Sequence, residues 1–101
     1  MRMLIIASLP THVFNAAVKD GTAGAKIGKI LDAQKPESVY FTELNGRRTA
    51  ILVVELSDAS KIPSLAEPWF LTFDAEVQVH PTMTPDDLKH SGIDSMGKQW
   101  G

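Results

Sequence analysis

Ser38-Val39-Tyr40-Phe41-Thr42-Glu43, the link Leu44-Asn45-Gly46-Arg47, and Arg48-Thr49-Ala50-Ile51-Leu52-Val53-Val54-Glu55-Leu56 form the stretch on which the fold turns. The first block is β-branched and aromatic, a strand by content. Asn45-Gly46 is the strongest short hairpin signal, because a type I′ turn needs positive φ at both central residues. The return block is apolar on both faces over Ala50–Val54, which marks a central strand covered on each side. Upstream, Met3-Leu4-Ile5-Ile6-Ala7 has the same character and ends at Ser8-Leu9-Pro10. Between these strands, Phe14, Ala17, Gly21, Gly24, Gly28 and Leu31 recur at helical spacing over Thr11–Gln34. Thr11 is the expected N-cap and Pro36 the stop. Each interior glycine costs roughly 1 kcal/mol in a helix, so a break is expected near Asp20-Gly21.

Downstream, Asp58 or Ser60 caps a second helical region, and Pro68 inside Leu65–Phe73 predicts a kink or two short helices. Ala75–His80 then alternates, with Val77 and Val79 facing one way and Glu76, Gln78 and His80 the other. After Pro81, Thr84-Pro85-Asp86-Asp87 sets a capping hydroxyl, a first-turn proline and two first-turn acids in series. A short helix from Pro85 to about Ser91 follows, stopped by Gly92. Ile93, Met96 and Trp100 in the tail need apolar contacts, so this segment is expected to dock on the body or on a second copy.

The order is strand–helix–strand–strand–helix–strand plus a helical extension. Two right-handed crossovers around one hairpin predict an α+β, ferredoxin-like βαββαβ antiparallel sheet of order 4-1-3-2, with both helices on one face. Residues 1–101 form one domain, with 1–83 as core and 84–101 as C-terminal extension. The helix-free face carries Leu4, Ile6, Ile51 and Val53. An apolar patch of that kind needs a covering surface, and a homodimer through the open sheet face is the economical solution.

Composition bounds the function. The 101 residues are 44% hydrophobic and 22% charged, which is one folded domain. Ten basic against twelve acidic residues give −2, with no excess to draw the chain to nucleic acid or an anionic membrane. Zero cysteines exclude disulfides, thiolate chemistry and Cys-based metal sites. No apolar run approaches a membrane span or signal core, so cytoplasm is the expected compartment. Gly24-Ala25-Lys26-Ile27-Gly28-Lys29-Ile30 departs from a phosphate loop at both ends, and its glycines read as close helix packing. RNA-recognition modules share the strand order, but their base-stacking aromatics are missing from the central strands, so no nucleic-acid partner is expected. Arg47-Arg48 reads as a solvated turn.

Four segments carry a resemblance: Lys19-Asp20-Gly21-Thr22-Ala23-Gly24, Val39-Tyr40-Phe41-Thr42-Glu43, Leu65-Ala66-Glu67-Pro68-Trp69-Phe70-Leu71-Thr72-Phe73 and Met83-Thr84-Pro85-Asp86-Asp87-Leu88. On them the chain resembles the dimeric α+β barrel proteins, and is similar to a group of small bacterial proteins of unknown function within that type. The resemblance implies fold and dimerisation. It brings no catalytic residue, because the superfamily holds small monooxygenases, isomerases and binding proteins alike.

The candidate site follows from strand parity. Glu76, Gln78 and His80 share the open face with Tyr40 and Thr42, and Glu55 and Arg2 lie at the same sheet end as His80. His80 with Glu76 or Glu55 is the candidate acid–base pair, and Tyr40, Thr42, Gln78 and Arg2 are the candidate ligand contacts. The same polar residues also read as ordinary solvation of an edge strand. His12 and His80 lie at opposite ends of the sheet, too far apart to share an ion, and His90 with Asp86 four residues earlier reads as a surface pair, so no metal and no cofactor are expected. Three classes follow: a binder of a small apolar ligand on the open face, a cofactor-independent enzyme, and a protein-interaction module.

Overall fold

In the computed structural model, which describes residues 1–101, the hairpin stands as read. Strand β2 (Ser38–Leu44) turns through Asn45 and Gly46, at φ 56° and 78°, into β3 (Arg47–Glu55). The type I′ requirement for two positive φ values is met by the two residues best able to meet it. Strand β1 (Arg2–Ser8) pairs antiparallel with β3 on one side and with β4 (Glu76–Pro81) on the other. The sheet order β2-β3-β1-β4 is the expected order traced from the opposite edge.

The first helical region is two helices, α1 (Thr11–Lys19) and α2 (Ala23–Gln34). They part at Gly21, which takes φ 79°. Thr11 is not the cap: Pro10 holds that position, and no side chain caps α1. Within the chain, Gly24 and Gly28 do not mediate close packing on the sheet, since a Cβ added at either would meet nothing within 4 Å. Asp58 caps a 3-10 turn at Ala59–Lys61, accepting from the Ser60 N–H, and α3 (Ile62–Phe73) follows at once. Of the two expected outcomes at Pro68, two short helices do not form: α3 is one helix with Pro68 inside it.

Parity places Met3, Ile5 and Ala7 of β1 and Ala50, Leu52 and Val54 of β3 under the helices, all buried. Phe14 and Ala17 of α1, Ile30 of α2, and Leu65, Trp69 and Phe73 of α3 close over them. The Phe14 and Phe73 rings meet at 5.3 Å and the Trp69 and Phe73 rings at 6.2 Å, within the range of favourable tilted pairs. Phe70, on the far side of α3, is instead exposed.

The extension holds two helices where one was expected, α4 (Pro85–Lys89) and α5 (Ile93–Trp100), joined through Gly92 at φ 80°. A capping box starts α4: the Thr84 hydroxyl accepts from the Asp87 N–H at 3.1 Å, and the Asp87 carboxylate accepts from the Thr84 N–H at 2.9 Å. The arm does not dock on its own body. Every residue from Pro85 to Gly101 is exposed, including Leu88, Ile93, Met96 and Trp100. No helix of the chain is long and apolar enough to cross a membrane.

Candidate functional site

Register sorts the open face into rows. Gln78, Ile6, Ile51 and Tyr40 lie side by side across β4, β1, β3 and β2. His80, Leu4, Val53 and Ser38 form the next row, and Glu76, Ser8, Thr49 and Thr42 the row on the other side. The centre is therefore an aliphatic quartet, Leu4, Ile6, Ile51 and Val53. Tyr40 flanks it on one edge, and Gln78 and His80 flank it on the other. Tyr40 is 69% exposed.

The ligand candidates do not converge. Tyr40 and Gln78 share a row but sit on opposite edge strands, roughly 14 Å apart at the strand spacing of a sheet. Thr42 and Arg2 lie at opposite ends of the face. Arg2 is turned to Glu37, with Nε to Oε2 at 2.9 Å and Nη2 to Oε1 at 2.8 Å. This fork, acting first through its hydrogen bonds and then through charge, raises the Arg2 pKa and holds the Glu37 carboxyl below its usual value.

The acid–base pair is not assembled within one chain. His80 Nε2 meets Gln78 Oε1 at 3.0 Å, and no carboxylate pairs with it. Glu55 lies two strands over and one row beyond, roughly 12 Å away on sheet spacings, and it pairs with the Met1 ammonium. Glu76 shares the strand face with His80 but stands four residues away, roughly 13 Å along the chain, and faces Arg47 at 3.8 Å. Topology brings strand ends together, as read, but lateral offset separates the side chains. His90 meets the backbone carbonyl of Asp86 at 2.7 Å instead of its carboxylate. No group of three His, Asp or Glu residues is placed to hold a metal ion.

None of the surface clefts reaches His80, Gln78, Tyr40 or Arg2. The largest, about 420 Å³, lies at the far end of β3 among Gln34, Glu55, Ser57, Lys61 and Ser64. Another, about 390 Å³, opens on the helix side at the hairpin, among Leu9, Phe14, Ile27, Phe41, Thr42, Arg48 and Thr49. Arg48 was missed by the turn reading. Its guanidinium lies 4.9 Å from the Phe14 ring centre and donates from Nη1 to Asn15 Oδ1 at 2.8 Å. The usable signal was parity, since position 48 alternates with Ala50 and Leu52 onto the helix side.

No family model and no curated protein matches the chain. Among solved structures, a de novo designed protein, Ferredog-Diesel, is similar over 80% of this chain and 85% of its own, at 10% identity and a TM-score of 0.46.

Proposed function

We propose that the chain is a ferredoxin-like subunit of a homodimer, closed through the open sheet face in the manner of dimeric α+β barrel proteins, and that it acts as a small binding protein. The observation that carries this reading is the register of the open face. Leu4 opposes Val53 and Ile6 opposes Ile51, with Tyr40 beside them, so two central strands present one continuous apolar patch. Isolated apolar residues on a surface are ordinary, but a contiguous patch rimmed by polar groups marks an interaction surface. A two-fold axis through the patch meets each aliphatic row with another aliphatic row. Binding is favoured over acid–base catalysis because His80 lacks a carboxylate partner within its own chain. Any ligand space on this face then lies between sheet and mate.

Sedimentation velocity tests the reading. The expected result is a dimer at micromolar concentration, with Ile51→Asp giving monomer or insoluble protein, since a carboxylate in a closed apolar face costs several kcal/mol. A stable wild-type monomer at that concentration overturns it.

A further inference from the structure

On the helix-facing side of β2, parity should bury Phe41 as it buries Leu52 on β3. Phe41 is instead 51% exposed. The helix layer does not cover it: α2 packs on α3 and α1, and only Ile27 of α2 borders the space beside Phe41. What remains between α1, α2 and the hairpin is an apolar cleft of about 390 Å³, walled by Leu9, Phe14, Ile27 and Phe41. That volume falls in the range of small-molecule sites, roughly 300–1,000 Å³, which combine apolar walls with a few fixed polar groups.

The fixed polar group is Arg48. Its guanidinium rests on the Phe14 ring and on Asn15 Oδ1, so its position is set. Only Nη1 has a protein acceptor, which leaves Nε and Nη2 as a free side-on fork. The cross-strand neighbour that would ordinarily neutralise it is Glu43, directly opposite in the register. Glu43 Oε2 accepts from the Gly46 N–H at 2.9 Å, and no ion pair joins Glu43 to Arg48. A held cation with no ion-pair contact, at the rim of an apolar cleft, is complementary to a planar anion carrying an apolar body.

We propose that this cleft binds a small monocarboxylate with a compact apolar body, its carboxylate forked by Arg48 and its body against Phe14, Ile27 and Phe41. Two parallel charge-assisted hydrogen bonds supply orientation, and the half-exposed Phe41 supplies apolar area that the fold leaves uncovered. The site is on the opposite side of the sheet from the dimer face and does not depend on dimerisation.

The test is an amide and Arg side-chain NMR titration with 3-phenylpropionate, run in parallel with the neutral 3-phenylpropanamide. Saturable shifts are expected at Phe14, Ile27 and Phe41 and at the Arg48 Nε–H, with the acid binding at least about tenfold more tightly than the amide. Arg48→Gln should abolish that preference and Arg48→Lys should restore part of it, since a point charge replaces the fork. Phe41→Ala, at a half-exposed position the fold tolerates, should weaken acid and amide alike and leave their ratio unchanged. Equal affinity for acid and amide, retention of the preference in Arg48→Gln, or shifts confined to the open face would overturn the proposal. So would shifts at the cleft that follow protein concentration instead of ligand, which would mean that a second copy covers it. Failure here leaves the sedimentation result, and hence the dimer reading, untouched.

Discussion

Pro68 removes the N–H that would reach the Ser64 carbonyl, and Gln34 supplies a donor from another helix. Gln34 Nε2 donates to the Ser64 oxygen at 3.2 Å and to that of Leu65 at 2.9 Å, while its Oε1 accepts from Trp69 Nε1 at 3.3 Å. That is why α3 continues where a proline ordinarily breaks a helix. Gln34→Leu is expected to cost about 1–2 kcal/mol in a denaturant melt, because it strands a carbonyl and an indole N–H. The cost should shrink in a Pro68→Ala background, where the backbone donor returns, and a double-mutant cycle reads that coupling directly. None of this was legible in the sequence. The proline announced a defect, but its repair comes from far upstream through tertiary contact. Asp87 is the opposite case, since Thr84-Pro85-Asp86-Asp87 spells its own cap. The Thr84 backbone N–H and then its hydroxyl hold the Asp87 carboxyl below its usual value. A depressed carboxyl stabilises the fold above its unfolded pKa, about 4, and loses that contribution as pH falls through its lower folded value. Titration of the Asp87 carboxyl by NMR should therefore show a depressed midpoint, with unwinding of α4 following it. Thr84→Ala should return the midpoint toward normal and cost about 1 kcal/mol in the stability of α4.

Elements were legible in proportion to how local their signals are. The hairpin and the alternating β4 depend on neighbours two positions apart, and both stand as read. The crossover between β1 and β2 needed a decision between one broken helix and two, and Gly21 at φ 79° settles it. Gly28 is a different matter. It sits in the middle of α2 with open space where a Cβ would go, so nothing within the chain requires glycine there. Gly28→Ala should stabilise the protein by about 0.5–1 kcal/mol, raising the melting temperature. A fall in melting temperature or a loss of dimer on that substitution would place the glycine against a second chain. The last helix, α5, escaped the sequence reading because a stretch of eight residues with Gly97 inside gives too little period to separate it from a tail. The candidate site fared worst, since strand parity assigns a face but not a distance. Tyr40, Gln78, His80 and Glu76 all project from the open side as expected, yet sheet spacing keeps them from converging in one chain.

The overall shape is elongated. The radius of gyration is 16.7 Å and the longest extent 59 Å, whereas a folded chain of this length has a radius near about 13 Å. The excess is the arm, which leaves the end of β4 just beyond the Thr82 N–H to Arg2 carbonyl bond at 3.0 Å. Strand spacing and rise give the open face roughly 450 Å² of projected area. A stable dimer buries about 800 Å² of accessible surface per partner, so a further apolar surface beside this footprint would strengthen one. Ile93, Met96 and Trp100 recur at three and four along α5, and all are exposed, with Trp100 at 80%. That stripe would add apolar area to the proposed dimer if each arm lay on the other subunit, and its preformed cap at Thr84 would lower the entropy lost on docking. Met96→Asp and Trp100→Ser are therefore expected to weaken the proposed dimer at least about tenfold, or about 1.4 kcal/mol, by sedimentation equilibrium. Because neither side chain touches its own body, melting of the dissociated chain should stay unchanged. If Ile51→Asp dissociates the dimer while both arm variants sediment like wild type, the sheet face suffices and the arm serves another partner.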